Sequence, residues 1–345
     1  MKDGLLVINK PQNWTSSDCV AICRRALRCK GIKKVGHGGT LDPMATGVLP
    51  IFVGQATRIM EYLDLDQKTY RCGAQLGKRT DTLDIWGELL EEGSLQGITK
   101  EDITEGLKSF EGWIWQTPPK YSAVRINGKR LYEYAYKGET VDVDIKQRYV
   151  NVKEIRVLSV DAEHGTILFD VTCSKGTYIR TICSDLGEKL GCGCVMTSLQ
   201  RLAVGNIGLD AGLPVLSPLD IKERCANFPS SHEAEVYAAE LEAMLLPADY
   251  PLIHFGRLEI SPDRAVFFSR GNSIRWEQVR CTQTPDVEYM KTRNGDGSMP
   301  RNARGRAYDR IYRVYEKKTG EFLGTGYYDE KERLLKADKV FVEKR

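Results

Sequence analysis

Residues 36–50 read Gly-His-Gly-Gly-Thr-Leu-Asp-Pro-Met-Ala-Thr-Gly-Val-Leu-Pro and form the most distinctive stretch of the chain. Glycine and proline recur so densely over residues 36–54 that the pattern predicts a shaped loop without regular structure. The glycines permit tight turns and the close approach of a ligand, and Asp42 is the one carboxylate in the stretch. From chemistry alone, Asp42 is either a catalytic group or an aspartate that caps a turn.

Several common site motifs are absent. Gly36-His37-Gly38 lacks the third glycine of the dinucleotide-binding motif, and no Gly-Lys-Ser/Thr completes a P-loop. The chain also contains neither G-x-S-x-G nor H-E-x-x-H. These absences disfavour nucleotide-cofactor enzymes, serine hydrolases and zinc proteases of that type.

Length and composition indicate an ordinary folded protein. The chain has 345 residues, enough for about two domains, and is 41% hydrophobic and 28% charged. No apolar stretch approaches the ~18 residues of a spanning helix, and the first residues lack the apolar core of a secretory signal. We therefore expect a cytoplasmic protein that does not contact a membrane.

The ten cysteines are too few for a disulfide scaffold and are expected to be reduced thiols. Cys19, Cys23 and Cys29 cluster, and Cys192 with Cys194 forms a C-x-C pair. No second pair or nearby histidine completes the four ligands of a structural zinc site. The cysteines therefore predict no metal centre.

Positive charge is concentrated in two runs. The net charge of +3 excludes a histone-like protein, but residues 251–345 carry 20 Lys and Arg against 14 Asp and Glu. Residues 24–34 hold six bases and no acid, and residues 291–313 hold seven bases and two acids. Such runs either neutralise phosphates or form solvated faces, and charge alone leaves both interpretations open.

Periodicity and turn residues predict a large mixed α/β domain and a small β domain. Residues 4–11 indicate a buried strand stopped by proline, and residues 16–18 are expected to cap the helix that follows. Asn127-Gly128 predicts a hairpin. A strand over residues 167–173 and a helix over residues 182–190 follow. Prolines over residues 214–251 predict a linker that holds one acidic helix, at about residues 233–246.

Residues 36–50 closely resemble the signature of the bacterial TruB family of tRNA pseudouridine-55 synthases. Shorter matches occur in the same order along the chain: Asn9–Pro11, Lys68–Arg71, Leu76–Thr82, Pro119–Ala123, Ser174–Thr181 and Leu199–Ala203. The resemblance is continuous over residues 4–210. Beyond that it thins, although Phe322–Phe341 is similar to the end of a PUA-type RNA-binding domain.

The resemblance implies an α+β fold. Residues 1–220 would form the catalytic domain of the pseudouridine synthase fold, with a mixed, mainly antiparallel sheet and an RNA-clamping thumb hairpin at about residues 119–145. Residues 221–250 would be a linker with a helix. Residues 251–345 would form a small PUA-type β domain, in which residues 281–310 are an unplaced insertion.

The activity implied is the isomerisation of uridine 55 in the T-loop of tRNA. The bond from N1 to the ribose is cleaved, and the base is rejoined through C5. This chemistry needs no cofactor and no metal. The resemblance further implies that the chain binds the T-loop and stem of tRNA as a monomer, with no obligate protein partner.

Three residues match catalytic positions of the family. Asp42 corresponds to the catalytic carboxylate, which acts either as a nucleophile or as a base at the ribose 2′ position. Arg180 corresponds to the arginine that pairs with this aspartate and favours its ionised form. Tyr70 corresponds to the tyrosine that stacks on the target base and helps to take the C5 proton.

Other residues match substrate-binding positions. His37 would hold the RNA loop open once the uridine has left the stack. Tyr178 and Leu199 would line the pocket, and Lys10 would shape its floor. The thumb bases would clamp phosphates, and the residues that match are Arg125, Lys129 and Arg130.

Three other functions are compatible with some or all of these sequence features. One is an RNA-binding or tRNA-folding protein that has lost synthase activity, although Asp42, Tyr70 and Arg180 are intact. Another is the subunit of a guide-RNA-dependent synthase. A small-molecule glycosidase is disfavoured because it would need a second carboxylate.

Overall fold

Runs of strands are interspersed with helices in the computed structural model, which describes residues 3–122, 124–126, 128–135, 145–227 and 230–341. The α-helices of this part are α1 (Ser16–Ala26), α2 (Lys100–Lys108), α3 (Leu131–Ala135), α4 (Ile179–Lys189), α5 (Pro218–Ala226), α6 (Ser231–Ala243), α7 (Pro262–Ser269) and α8 (Val287–Lys291). None is long and apolar enough to serve as a membrane-crossing segment.

The strands are mostly short. They are β1 (Gly4–Lys10), β2 (Val35–His37), β3 (Thr46–Val53), β4 (Lys68–Leu76), β5 (Lys78–Thr80), β6 (Leu89–Glu92), β7 (Gly112–Gln116), β8 (Arg125–Ile126), β9 (Lys129–Arg130), β10 (Arg148–Asp161), β11 (Thr166–Cys173), β12 (Cys194–Val204), β13 (Ile207–Gly208), β14 (Val215–Leu216), β15 (Leu246–Pro247), β16 (Gly256–Ile260), β17 (Ile274–Arg275), β18 (Arg280–Gln283), β19 (Ile311–Glu316), β20 (Phe322–Asp329) and β21 (Leu334–Val340). A long 3₁₀ segment covers Gly54–Leu65.

The chain divides into two compact units. The first unit comprises Met1–Pro43, Gly47–Asp66 and Val204–Arg345, and the second comprises Met44–Thr46 and Gln67–Ala203.

In the first unit, β1 lies between β3, with which it is antiparallel, and β14, with which it is parallel. Side chains of a strand alternate between its two faces. Accordingly Leu6 and Ile8 pack with α1, α5 and α6, whereas Leu5 and Val7 pack with residues of the C-terminal third. Both faces are covered, which explains why the strand is a continuous apolar run.

Three local predictions require correction. The cap of α1 is Thr15, not residues 16–18, and Thr15 forms a reciprocal capping box with Asp18. Residues 36–54 are not all loop, because β2 and β3 pair at their two ends. Burial of the apolar residues 48–53 outweighs the local effect of Gly47 and Pro50, so only residues 38–45 are irregular.

Residues 214–251 contain two α-helices where the prolines predicted a linker with one. Ser217 caps α5 and Pro218 opens it, which is a favourable position for proline. Ile221 of α5 and Leu241 of α6 are buried in the same apolar core as α1. The prolines therefore mark helix ends in a packed segment.

The C-terminal residues form a six-stranded sheet in the order β17-β21-β20-β19-β16-β18. The pair β16 and β19 is parallel and the other pairs are antiparallel. Phe268 of α7 packs on Leu258, Val314 and Leu323 beneath the sheet. The β-rich C-terminal fold agrees with the predicted fold class and is consistent with the PUA type.

Residues 281–310 belong to this packing. They include most of β18 and all of α8, and Met290 of α8 is fully buried in a cluster with Leu5 and Ile311. A bridge pairs Arg301 with Ala307. The segment is thus an integral part of the first unit.

The second unit is built on strands in the order β12-β4-β11-β10-β7, and the pairs of β11 and β10 are antiparallel. Helix α2 packs against β10 and α4, burying Ile103 and Leu107 completely. Helix α4 begins at Ile179, three residues before the predicted start. The predicted α+β class with a mixed, mainly antiparallel sheet is confirmed.

All ten cysteines are free thiols, in agreement with the prediction. Eight are buried, and Cys29 and Cys281 are exposed. The buried Cys72 Sγ and Cys183 Sγ lie 3.7 Å apart in the second unit.

Candidate active site

Asp42 is exposed on an irregular loop of the first unit, and the residues on either side of it are fixed by the N-terminal segment. The Leu41 amide donates to Ser16 Oγ at 2.9 Å, and Ser16 Oγ donates to the Leu41 carbonyl at 3.2 Å. On the other side, the Asn13 amide donates to the Pro43 carbonyl at 2.9 Å. The Asp42 backbone is therefore held from both sides while its side chain faces solvent.

Lys10 contributes to the same support. Its side chain is fully buried, and Nζ donates to the carbonyls of Pro11 (2.9 Å), Trp14 (2.6 Å) and Pro43 (3.1 Å). An ammonium group has three donors, so these three bonds use its full capacity. These bonds place Lys10 beneath the backbone of the Asp42 loop, and its role in substrate binding stays a prediction.

Gly38 shows why the loop needs glycine. A Cβ at this position would lie 2.4 Å from Leu63 Cδ1 and 2.9 Å from Phe52 Cε2. The Gly38 amide also donates to the Pro50 carbonyl at 2.8 Å. The backbone thus runs directly over the apolar core, next to His37, which is half-buried at the end of β2.

Tyr70 lies on β4 in the second unit, opposite Val171 of β11, and its side chain is 9% exposed. Arg201 on β12 is completely buried and donates a hydrogen bond to the Tyr70 side chain. Burial lowers the pKa of the Arg201 guanidinium, and the interaction with Tyr70 acts in the opposite direction. A buried cation beside the phenol oxygen stabilises negative charge on that oxygen.

Arg180 lies in the first turn of α4 and joins two other segments of the second unit. Its Nη1 donates to the Thr82 carbonyl at 3.1 Å and lies 3.4 Å from Asp84 Oδ2. Its Nη2 donates to the Tyr121 carbonyl at 3.0 Å. Charge-assisted bonds of this kind fix the direction of a planar guanidinium.

The segment that faces Arg180 is itself ordered by side chains. Thr82 Oγ1 donates to Asp84 Oδ1 at 2.6 Å, and Thr80 Oγ1 donates to the Asp84 carbonyl at 2.7 Å. The Tyr121 hydroxyl donates to Asp81 Oδ2 at 3.0 Å. The motif over residues 80–84 therefore serves as a support for Arg180.

Tyr178 is the residue before α4, and its backbone is held by Gln116 of β7. The Tyr178 amide donates to Gln116 Oε1 at 2.9 Å, and Gln116 Nε2 donates to the Tyr178 carbonyl at 3.3 Å. The Tyr178 side chain is half-buried, as is that of Leu199 on β12. Neither residue is enclosed in the core, so both are accessible to a ligand.

The expected thumb at about residues 119–145 lies partly outside the described residues. Strands β8 and β9 pair as a hairpin with Gly128 at a φ of +82°, so the hairpin prediction is confirmed, while Asn127 is outside the description. Arg125 and Lys129 are exposed on this hairpin. Arg130 belongs to β9, and its side chain is outside the described part.

The two basic runs differ in the structure. In residues 24–34, Arg24 and Arg25 donate to backbone carbonyls, and four further bases are exposed: Arg28, Lys30, Lys33 and Lys34. In residues 291–313, Arg304 and Arg306 both bond to Asp338, whose side chain is fully buried. Part of the second run therefore neutralises a carboxylate inside the protein.

Sequence reasoning missed Asp84, Gln116, Arg201 and Ser16. Asp84 lies two residues after the family motif Leu76–Thr82, and Ser16 lies five residues after Asn9–Pro11. Arg201 lies inside the motif Leu199–Ala203. The family motifs therefore indicated the segments that carry these three residues. Nothing local marks Gln116. In the described ranges, no three His, Cys, Asp or Glu side chains are grouped so that they could hold a metal ion.

Two family models match this chain. The model of the TruB family pseudouridylate synthase N-terminal domain matches residues 24–179. The model of the tRNA pseudouridylate synthase B C-terminal domain matches residues 180–253. Together they cover residues 24–253, which include Asp42, Tyr70 and Arg180.

Curated relatives extend the match to nearly the full length. The tRNA pseudouridine synthase B of Clostridioides difficile (strain 630) is 35% identical over 342 residues, which are 98% of this chain and 99% of that protein. The enzyme of the same name from Alkaliphilus oremlandii is 41% identical over 273 residues, 79% of this chain and 83% of that protein.

Solved structures share the fold. A Cbf5-Nop10-Gar1 complex contains a chain with a TM-score of 0.67 and 22% identity, covering 99% of this chain and 85% of that one. The archaeal box H/ACA sRNP Nop10-Cbf5 complex gives 0.65 and 21%, covering 99% and 86%. At these identities the likeness establishes the architecture alone.

Proposed function

The chain belongs to the TruB family of pseudouridylate synthases, and we propose that it converts uridine 55 in the T-loop of tRNA to pseudouridine. The chain is a tRNA pseudouridine synthase, an isomerase. The observation that carries the proposal is 35% identity to a bacterial tRNA pseudouridine synthase B over 98% of the chain. The motif with Asp42 supports the same reaction, because its loop presents an exposed carboxylate on a fixed backbone.

The reaction rearranges bonds within one nucleotide. The bond from N1 to C1′ breaks, a bond from C5 to C1′ forms, C5 loses its hydrogen to solvent and N1 gains a proton. Atoms and electrons balance without an oxidant or reductant, so the chain is proposed to act without a cofactor. The target uridine must first leave the base stack, at a cost of a few kcal/mol.

Asp42 is the proposed catalytic carboxylate. It acts either as a nucleophile or as the base that removes the ribose 2′ proton. Both acts need an ionised oxygen at a fixed position. The bonds of Ser16, Asn13 and Lys10 to the adjacent backbone support such a position.

Tyr70 and Arg180 are the other proposed catalytic residues. Tyr70 stacks on the target base and helps to take the C5 proton, a role favoured by the buried guanidinium of Arg201 beside its hydroxyl. Arg180 supplies a fixed positive charge, which its bonds to Thr82, Tyr121 and Asp84 hold in one direction.

The proposed substrate-binding residues lie on several elements. His37 replaces the flipped base in the RNA stack, and Tyr178 and Leu199 line the pocket. The hairpin of β8 and β9 clamps RNA through the bases Arg125, Lys129 and Arg130. Residues 1–220 would form the catalytic domain, residues 221–250 its connection, and residues 251–345 the PUA-type RNA-binding domain.

We also propose that the chain acts in the cytoplasm as a monomer, without a guide RNA or an obligate protein partner. Support comes from a thumb segment within the chain itself and from family motifs with bacterial spacing. Activity of the purified chain on bare tRNA separates this proposal from a guide-dependent subunit.

The test is tritium release from unmodified tRNA labelled at uridine C5. The purified chain, without added cofactor or guide RNA, should release one equivalent of tritium per tRNA, and a transcript with cytidine at position 55 should release none from that site. Tight tRNA binding without release would indicate an RNA-binding protein or a subunit that needs a guide.

A further inference from the structure

One glutamine side chain holds the backbone at the start of the helix that carries Arg180. Gln116 is the last residue of β7, and it is only 1% exposed. The Tyr178 amide donates to Gln116 Oε1 at 2.9 Å, and Gln116 Nε2 donates to the Tyr178 carbonyl at 3.3 Å. Both backbone groups of Tyr178 are thus bound by one side chain from a different element of the second unit.

The sequence of α4 does not supply this support by itself. Tyr178 is the N-cap residue of α4, and its side chain makes no capping hydrogen bond. A serine, threonine, asparagine or aspartate at the N-cap usually provides that bond. The Tyr178 carbonyl also accepts a bond of the first helical turn, from the Ile182 amide at 3.2 Å. Gln116 therefore acts on the turn that contains Arg180.

The segment that follows Gln116 contacts the other end of the Arg180 side chain. The Tyr121 carbonyl accepts a hydrogen bond from Arg180 Nη2 at 3.0 Å. Between these two contacts lie Pro118 and Pro119, which are buried and whose rings restrict the backbone. Residues 116–121 therefore hold both the backbone at the start of α4 and the guanidinium at the end of the Arg180 side chain.

Helix capping alone does not require a residue of β7. A short polar side chain at position 178 would cap α4 locally and stabilise its first turn. Bonds from a separate strand have a further effect, because they fix where the helix begins relative to that strand. The place of α4 relative to β7 decides how the Arg180 guanidinium meets the Tyr121 carbonyl.

We propose that Gln116 is a positioning residue of the reaction, which fixes the first turn of α4 and thereby the direction of the Arg180 guanidinium. A planar guanidinium acts through N–H groups in fixed directions, so a small displacement of its backbone changes what it can reach. A misplacement of about 1 Å lowers a rate by up to ~10²-fold even when the altered residue is remote from the chemistry. This inference rests on the proposed function, in which Arg180 is a catalytic residue.

The first test is Gln116→Met, which has a side chain of similar length and removes both hydrogen bonds to Tyr178. Its rate of tritium release in a single turnover at saturating tRNA should fall about tenfold or more. The Kd for tRNA, measured by filter binding, should change little. If Gln116→Met does not fold, Gln116→Asn replaces it, because this amide is one methylene too short to reach both groups.

The matched control is Gln75→Met. Gln75 is half-buried in the same unit, and its Nε2 donates to the carbonyls of Leu76 and His164 at 3.1 and 2.7 Å. Its variant also removes backbone contacts of a glutamine, but none of them reaches α4. It should release tritium at the rate of the unmodified chain.

A double variant separates positioning from a general loss of structure. In the Arg180→Lys background, Gln116→Met should lower the single-turnover rate by a smaller factor than in the unmodified chain, because a lysine ammonium has no plane to orient. Two residues that act as one unit show such non-additive effects. Equal factors in the two backgrounds would overturn the inference.

Hydrogen exchange tests the same contact without activity. The Tyr178 amide, which donates to Gln116 Oε1, should exchange faster in Gln116→Met than in the unmodified chain. Unchanged exchange would show that Gln116 does not fix the start of α4.

Two kinetic outcomes also overturn the inference. One is unchanged tritium release by folded Gln116→Met. The other is a raised Kd for tRNA with an unchanged rate, which would assign Gln116 to substrate binding through Tyr178. Absence of release from the unmodified chain would instead contradict the proposed function, and the exchange comparison would still decide whether Gln116 holds the start of α4.

Discussion

Arg180 Nη1 lies 3.4 Å from Asp84 Oδ2, and the two side chains are only 9% and 13% exposed. The pair joins α4 to the segment that follows β5. Because water has little access, the Asp84 carboxylate contributes to the compensation of the Arg180 charge. The orientation of Arg180 is therefore set in part by a residue outside the motifs that identify the family.

Asp84→Asn should reduce both stability and turnover. The amide keeps the shape but removes the negative charge of Asp84 beside the Arg180 guanidinium, a change that costs about 3 kcal/mol in buried pairs. Urea unfolding and tritium release measure the two effects. Glu91→Gln breaks the exposed pair with Arg79 and should change neither. Equal effects of the two variants would contradict a special role for Asp84.

Lys10→Met should slow turnover with little change in tRNA affinity. Methionine fills the buried space, but the carbonyls of Trp14 and Pro43 lose a donor, and the Asp42 loop loses one of its supports. An unsatisfied buried acceptor costs about 1–3 kcal/mol, so the unfolding free energy should fall as well. Lys108→Met, at a side chain 48% exposed, is the control. A large loss of tRNA affinity with unchanged kcat would instead assign Lys10 to substrate binding.

Asp42→Asn should bind tRNA and fail to turn it over. The substitution removes the ionised oxygen that either mechanism needs, and the exposed position makes a folding defect unexpected. Filter binding of tRNA and tritium release under single-turnover conditions measure the two properties. Turnover at the rate of the unmodified chain would remove Asp42 from the mechanism.

The stabilisation from Asp170 should be lost in acid. Burial raises the pKa of its carboxyl, but hydrogen bonds from Arg71 and Arg156 outweigh burial, and the pKa lies below the ordinary value of 3.8. A depressed folded-state pKa stabilises the protein above the unfolded-state value, and this contribution disappears as the pH falls through the folded-state value. The difference in unfolding free energy between the unmodified chain and Asp170→Asn should be constant near neutrality and shrink below about pH 4. A difference that persists in acid would argue against ionic stabilisation.

Arg306→Ala should destabilise the first unit. Asp338 is buried and is also bonded by Arg304 (3.0 Å) and Tyr62 (2.5 Å), so the loss should be roughly 2 kcal/mol, less than the ~3–5 kcal/mol of an isolated buried pair. Lys291→Ala, at an exposed base of the same run, should keep stability. If Arg306→Ala changes only RNA affinity, its main role is phosphate contact.

The sequence predicted the fold class through a specific motif, and it predicted the strand over residues 167–173 through alternation. It failed where burial competes with local preference. Gly47 and Pro50 suggested irregular backbone, yet both lie in β3, because Leu49, Ile51 and Phe52 are completely buried there. The tendency of glycine and proline to interrupt a strand is weak compared with the free energy gained by burying several large side chains.

The site was predictable at Asp42 and much less so at its supports. Asp84 and Gln116 matter because chain folding brings them to Arg180 and Tyr178, which are 96 and 62 residues away. Likewise Arg304 and Arg306 form part of a basic run in the sequence but bond to Asp338, more than 30 residues downstream. Contacts between residues so far apart in the sequence produce no periodic pattern from which they could be predicted.

Two of the ten cysteines are exposed and eight are buried, so the number of reactive thiols shows whether the enzyme is folded. A small aromatic disulfide reagent reacts with accessible thiols, so the folded chain should release two equivalents of coloured thiolate, from Cys29 and Cys281. The unfolded chain should release all ten. Reaction of the eight remaining thiols therefore reports each opening of the interior, and its rate under native conditions measures how often the core is exposed to a reagent.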